Sequence, residues 1–244
     1  MNHTWQDKTY WLVGASEGLG RALAERLSGL GVTLCLSARN EARLRELAEN
    51  LSGPAIVAPC DVRDTESVAH AFAGLPQLDG VIFNTGLYEP VSAKAWDPAA
   101  VEAMCDVNFT GAARVLGEAV PALVAQGRGH IGLIGSLAAY RGLPGSIGYG
   151  ASKAGLLHLA ESMRIDLPRR NYKVQVINPG YIETRLTAKN RFAMPFIMSP
   201  EKAAQATVSK MEQNRFCSNF PWPFALIFRL APIVPGSLYF SLFR

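Results

Sequence analysis

The 244-residue chain has little cysteine, little histidine and no dense block of charge. Its four cysteines, Cys35, Cys60, Cys105 and Cys217, form neither a paired disulfide framework nor a metal-binding spacing. Reduced, mostly buried thiols in a cytoplasmic setting are the expectation. The four histidines, His3, His70, His130 and His158, are equally dispersed, so no metal site is expected. Basic residues exceed acidic ones by only 24 to 20 and are scattered, which leaves no nucleic-acid footprint. The start, M-N-H-T-W-Q-D-K, lacks the apolar run of a secretory signal. A membrane span is also disfavoured. The most apolar stretch, residues 220–244, is broken by Arg229, Pro232 and Pro235, short of the roughly 20 apolar residues in a row that a spanning helix needs.

What is present is regular alternation. Apolar, β-rich runs at 9–13, 32–37, 55–60, 80–84, 129–136 and 173–178 are separated by helical patterns. The helices are expected near 19–30, 43–51, 64–74, 97–126 and 149–170. Leu19, Leu23, Leu27 and Leu30 mark one face of the first. Asp97 and Pro98 have the chemistry of an N-cap and first position for the fourth. Strand–helix alternation of this kind makes a parallel sheet. Nearly continuous apolar strands place helices on both of its faces. The reading is one α/β domain over residues 1–244. Ligands of such sheets bind past the carboxyl ends of the strands, so those ends carry the functional information.

After the first strand comes G14-A-S-E-G-L-G20, whose glycines permit close backbone approach. The helix that follows aims its free N–H groups and positive dipole end at the same place, which suits a diphosphate. After the second strand, Ser37-Ala38-Arg39 carries no acid for a ribose 2′-hydroxyl. Arg39 is either a fork for a 2′-phosphate or a solvated helix-start arginine, and the missing acid favours the fork. Asp61 either contacts adenine or caps the next helix. Asn84-Thr85-Gly86 offers small residues near a passing cofactor, and Asn178-Pro179-Gly180 closes the sixth strand.

The stretch S136-L-A-A-Y-R-G-L-P-G-S-I-G-Y-G-A-S-K153 poses the chemical question. Tyrosine, with a pKa near 10, is a poor acid-base group at neutral pH. Lys153 stands one helical turn beyond Tyr149, and its ammonium is expected to favour the phenolate. Ser136 is placed to steady charge growing on a substrate oxygen. Tyr140 has Pro144 where a lysine would be needed, so packing or substrate contact is its expected role.

In order and spacing, the glycine loop, Asn84-Thr85-Gly86, Asn108, Ser136, Y149-G-A-S-K153 and P179-G180 resemble the short-chain dehydrogenase/reductases over residues 9 to about 186. The resemblance implies a Rossmann-type doubly wound sheet of about seven strands. It implies an acid-base role for Tyr149, with Lys153, Ser136 and Asn108 completing a catalytic tetrad and Asn108 holding a water near Lys153. Gly14, Ser16, Glu17, Gly18, Leu19 and Gly20 match the diphosphate loop. Asp61 and Val62 match the adenine side, and Asn84 and Gly86 the wall beside the adenosine ribose. Pro179, Gly180, Ile182 and Thr184 match the nicotinamide side, where Tyr149 and Lys153 also meet the cofactor. Arg39 resembles the determinant of NADP-preferring members, so NADP(H) is expected over NAD(H). Two positions depart from the family pattern: Thr85 stands for the usual alanine, and Phe83 for a second asparagine. Homodimers or homotetramers formed through the two long helices are also implied.

The expected function is therefore hydride transfer between NADP(H) and a carbonyl or secondary alcohol. A non-catalytic NADP(H) sensor and an isomerase or epimerase are the rivals. Loops 87–91, 137–145 and 181–200 border the expected substrate site. Residues 187–215, including R191-F-A-M-P-F-I-M, read either as a lid over an apolar substrate or as a plain covering helix. The apolar extension 216–244 is expected to pack on the domain or a second subunit. The second choice is a membrane interface, for which Trp222, Phe224, Phe228, Tyr239, Arg229 and Arg244 are suited.

Overall fold

The computed structural model describes residues 4–190 and 192–243. Arg191 and Arg244, expected in the lid and the tail, lie outside the described residues, as does His3. The strands are β1 (Thr9–Val13), β2 (Thr33–Ser37), β3 (Ala55–Val57), β4 (Gly80–Phe83), β5 (Gly129–Ile134), β6 (Tyr172–Pro179) and β7 (Cys217–Phe220). They form one seven-stranded parallel sheet in the order β3-β2-β1-β4-β5-β6-β7. The order reverses between β1 and β4, and that switch point opens a crevice at the carboxyl ends of the strands.

Helices α1 (Gly18–Ser28), α2 (Glu41–Asn50), α3 (Thr65–Ala73), α4 (Pro98–Cys105), α5 (Gly111–Ala125), α6 (Ile147–Asp166) and α7 (Pro200–Glu212) connect the strands. One core lies on each face of the sheet. The first joins Leu12, Leu34 and Ile82 to Leu23 and Leu27 of α1 and Val208 and Met211 of α7. The second joins Trp11, Phe83 and Leu133 to Val115 and Leu123 of α5 and Leu156 of α6. Each such side chain, fully buried, contributes about 1.5–3 kcal/mol. Cys35 and Cys60 lie in this core, and burial pushes their thiols up to about 12 and about 11.

Three elements differ from the sequence reading. β3 ends at Val57, before Pro59, which has no N–H for the ladder. The helix expected over 97–126 is α4 and α5 joined by a π-helical turn, Asp106–Thr110, that holds Asn108. α6 begins at Ile147, so Tyr149 and Lys153 both lie inside it.

The last quarter divides in a way the sequence did not show. Of the stretch expected as a lid, residues 200–212 are α7, which buries Ala203, Ala204, Val208 and Met211 in the core. It belongs to the sheet's cover, and only the part before it borders the crevice. The expected extension likewise begins with a sheet strand, β7. Beyond it come α8 (Trp222–Leu230) and α9 (Gly236–Ser241). Among the described residues no helix is long and apolar enough to cross a membrane.

Candidate active site

Nearly all the expected site residues line one cleft of about 1650 Å³ above the carboxyl ends of the strands. The exceptions are Gly20, which packs beneath it, and Asn108, which is buried behind it.

At the end of β1 the chain turns through Gly14 (φ 92°) and Gly18 (φ 53°), backbone conformations that favour glycine. Their neighbours leave no room for a side chain. A Cβ on Gly14 would lie 2.7 Å from the Thr85 nitrogen, and one on Gly20 only 1.8 Å from the Gly14 carbonyl. Asn84 closes the turn from β4 by donating to the Gly14 carbonyl at 2.9 Å. No side chain caps α1, and its first turn carries no acid. Its N–H groups therefore face the cleft uncompensated, which fits a diphosphate.

At the end of β2, Arg39 is exposed and forms no ion pair among the described residues. The arginines around it are engaged. Glu17 pairs with Arg43 at 2.9 Å and also with Arg185 from the far wall. Asp61 is held by Arg63, which keeps its carboxyl below the ordinary value. The cap of α3 is Asp64, accepting from Glu66 and Ser67, so capping is not what Asp61 does.

Below the opposite half of the cleft lie Ser136, Tyr149 and Lys153. Ser136 follows β5, and its hydroxyl accepts from the Ala138 N–H at 3.1 Å. Lys153 is buried, and its ammonium donates to the Ile134 carbonyl at 2.8 Å. That burial lowers its pKa to about 8. Lys153 Nζ stands 6.0 Å from the centre of the Tyr149 ring. Tyr149 does not have the depressed pKa that the lysine was expected to produce. Burial raises it above the ordinary value, and the Ser136 hydroxyl opposes that rise. Burial is the dominant cause, with Lys153 Nζ 6.0 Å from the ring centre.

Asn108 lies behind the cleft and is fully buried. Its amide donates to the Leu87 carbonyl at 2.9 Å and to Ser152 at 3.0 Å, and accepts from the Leu87 N–H at 2.7 Å. Both amide hydrogens are thus spent on protein groups. The side chain clamps the loop after β4 onto α6.

Tyr88 from that clamped loop meets Tyr149 edge-on at 5.2 Å and donates to Asn190 at 2.9 Å. Tyr140 sits behind the site, donating to Asn219 at 2.7 Å, with Asn178 donating to it at 3.2 Å. This settles Tyr140 as a packing residue.

The outer wall was not foreseen. Phe224 and Phe228 of α8, together with Phe243, line the cleft. Tyr181 stacks on Phe224 at 5.5 Å and on Phe192 at 6.0 Å. Arg141 fastens this wall: its guanidinium donates to the Ala231 and Val234 carbonyls and lies 3.9 Å over the Tyr239 ring. Tyr239 in turn donates to the Gly142 carbonyl at 2.7 Å. The i, i+4 spacing of Phe224 and Phe228 was the available sequence signal. Nothing singled out Arg141.

A family model described as "short chain dehydrogenase" matches residues 8–194. The chain is a short-chain dehydrogenase. It is accordingly an oxidoreductase with the Rossmann-type fold of that family. It is 34% identical over 239 residues to an uncharacterized oxidoreductase of Myxococcus xanthus, covering 95% of this chain and 94% of that one. It is 36% identical to a sulfoacetaldehyde reductase of Chromohalobacter salexigens over 185 residues, covering 72% and 73%. A short chain dehydrogenase from Burkholderia cenocepacia, solved in complex with NADP, superposes with a TM-score of 0.87 at 24% identity, covering 99% of this short-chain dehydrogenase and 100% of that chain. At that identity the superposition speaks for the fold alone.

Proposed function

We propose that this short-chain dehydrogenase is an NADP(H)-dependent carbonyl reductase and alcohol dehydrogenase for an apolar small molecule, with Tyr149 as its acid-base group. The observation that carries the reading is the convergence of Ser136, Tyr149 and Lys153 on a cleft whose other half is the glycine turn. The glycine turn and the open α1 N-terminus would hold the diphosphate, Arg39 the 2′-phosphate, and Lys153 and Thr184 the nicotinamide end. The cofactor, when bound, supplies or accepts the hydride.

The protein's part is position and the proton. Ser136 hydrogen-bonds the substrate oxygen and stabilises charge as it builds. Tyr149, held protonated by burial, gives that oxygen its proton in reduction and takes it back in oxidation. Lys153 keeps a positive charge beneath the site. Asn108 acts through the Leu87 clamp, which holds Tyr88 against Tyr149. The aromatic wall of Tyr181, Phe192, Phe224 and Phe228 suits an apolar body better than a sulfonate such as the named substrate of the Chromohalobacter relative. Copies of the chain are assigned to pair through the faces of α4, α5 and α6.

The test is NADPH oxidation against a panel of aliphatic, aromatic and polycyclic carbonyl compounds, with wild type and Tyr149→Phe. Loss of the phenol is expected to lower kcat by about 10²–10⁴ while NADPH binding, followed by fluorescence, is retained. Tight NADPH binding without turnover of any carbonyl by wild type would favour the sensor. Undiminished turnover by the variant would remove Tyr149 from the chemistry.

A further inference from the structure

α8 is apolar except for Arg229 in its last turn. Phe224 and Phe228 turn inward to the cleft and Ala225 is buried. The outer side carries Trp222, Leu226, Ile227 and Leu230, continued by Ile233 in the turn that follows. Trp222 is 73% exposed, Ile227 64% and Ile233 77%. An exposed apolar patch of this kind marks an interaction surface.

The patch does not stop at α8. Phe196 stacks on Phe224 at 6.1 Å, which joins the exposed Phe192, Phe196 and Ile197 to the same surface. Phe196 is held outward in a left-handed backbone conformation (φ 58°), rare for a bulky residue. After the turn, Leu238 and Phe240 of α9 and the following Leu242 are exposed as well. The mouth of the substrate cleft opens within this apolar field, since Phe192, Phe224, Phe228 and Phe243 belong to both.

Charge decides what covers it. Between Gln213 and Arg244 the chain has three arginines and no aspartate or glutamate. Between Thr184 and Pro200 it has Arg185, Lys189 and Arg191 and again no acid. Glu17 and Glu89 pair with Arg185 and Lys189, whereas Arg229 of α8 is exposed and forms no ion pair among the described residues. A twofold contact would join two copies of a surface on which Arg229 finds no carboxylate in α8 or α9 to meet. An anionic lipid surface complements that arginine. Aromatic and aliphatic side chains on short helices, with interspersed arginine and no carboxylate, have the composition of an interfacial membrane anchor.

We propose that the outer face of α8 and α9 and the adjoining segment 192–197 dock on an anionic bilayer surface, placing the cleft mouth against the lipid. The docking needs neither cofactor nor turnover, so it stands or falls separately from the assigned reaction. The test is co-sedimentation of the full chain with vesicles of phosphatidylcholine alone and of phosphatidylcholine with 30% phosphatidylglycerol, about that fraction being enough to give a strongly negative surface. Trp222 fluorescence is read in parallel.

Wild type is expected to pellet with the anionic vesicles, with a blue-shifted Trp222 emission, and to be largely released by raised salt. The triple variant Trp222→Ser/Ile227→Ser/Ile233→Ser should lose at least tenfold in vesicle affinity, and Arg229→Glu severalfold. None of these residues lines the cleft, so thermal stability and NADPH binding should match wild type and show that the variants are folded. Three outcomes overturn the proposal: no pelleting with either vesicle, pelleting unchanged by the triple variant, or a wild-type oligomer that the triple variant dissociates. The last would mean that a second copy covers the face.

Discussion

On one side of the cleft the proposed recognition groups are backbone. They belong to the glycine turn after β1 and the uncapped start of α1, held by a seven-stranded sheet with a packed core on each face. On the other side they are aromatic rings on a nine-residue helix, fastened by one guanidinium. Under the proposed function, specificity would divide along this line. A diphosphate, constant chemistry, would be met by geometry that tolerates no added atom. A substrate body, variable chemistry, would be met by side chains whose exchange leaves the sheet intact.

The sharpest way to break that contrast is to strain the rigid side. Gly20→Ala places a Cβ against the Gly14 carbonyl, so the loop and helix must part. Because a misplacement of about 1 Å costs about 10² in rate, kcat/KM for every substrate should fall by about that factor, and NADPH affinity should fall with it in fluorescence titration. If the substitution leaves cofactor affinity unchanged, the glycine turn is not the diphosphate site.

Arg39→Asp comes next. A hydrogen bond to a charged group is worth about 1.5–3 kcal/mol, so NADPH affinity should drop about 10- to 100-fold while NADH changes about threefold or less. Equal losses for both cofactors, in parallel titrations, would show that Arg39 does not read the phosphate.

On the adaptable side, Phe228→Ala should raise the KM of an apolar substrate about tenfold, within the 1.5–3 kcal/mol of a buried phenylalanine, and leave the cofactor Kd unchanged. Arg141→Ala should act in the same direction by loosening the wall. Steady-state kinetics with both concentrations varied separates the two effects, and a change in cofactor Kd would deny the division between the two sides.

The smallest effect is on pH. Lys153 loses its charge as pH rises through about 8, whereas Tyr149 stays protonated beyond its ordinary value. Carbonyl reduction should therefore be level below pH 8 and decline above it. A decline beginning instead near pH 6 would implicate another group.

These two sides also differ in how much the sequence disclosed. The six strands β1 to β6 and the residues at their ends were legible because apolar runs, glycine turns and caps are local signals, each written in a few neighbouring residues. Asn108 was found by resemblance, yet its clamp on Leu87 depends on a π-helical turn that leaves no mark in hydrophobic periodicity. The direction of the Tyr149 pKa was illegible because spacing shows that Lys153 is near but not how deeply the phenol is buried. The outer wall was illegible for a plainer reason. Arg141 meets residues about ninety positions away, and in a tail this apolar the Phe224/Phe228 spacing alone does not say which face turns inward.

The order of the strands has a further consequence. The two edges of the sheet are its short strands, three residues in β3 and four in β7. Long, flat edges recruit passing strands and lead to aggregation. Here each edge offers too few free backbone groups to nucleate such pairing. At β7 the chain turns directly into α8, which packs beside that strand. The segment that walls the cleft thus also guards the open side of the sheet, and removing it would be expected to cost solubility before it cost the fold.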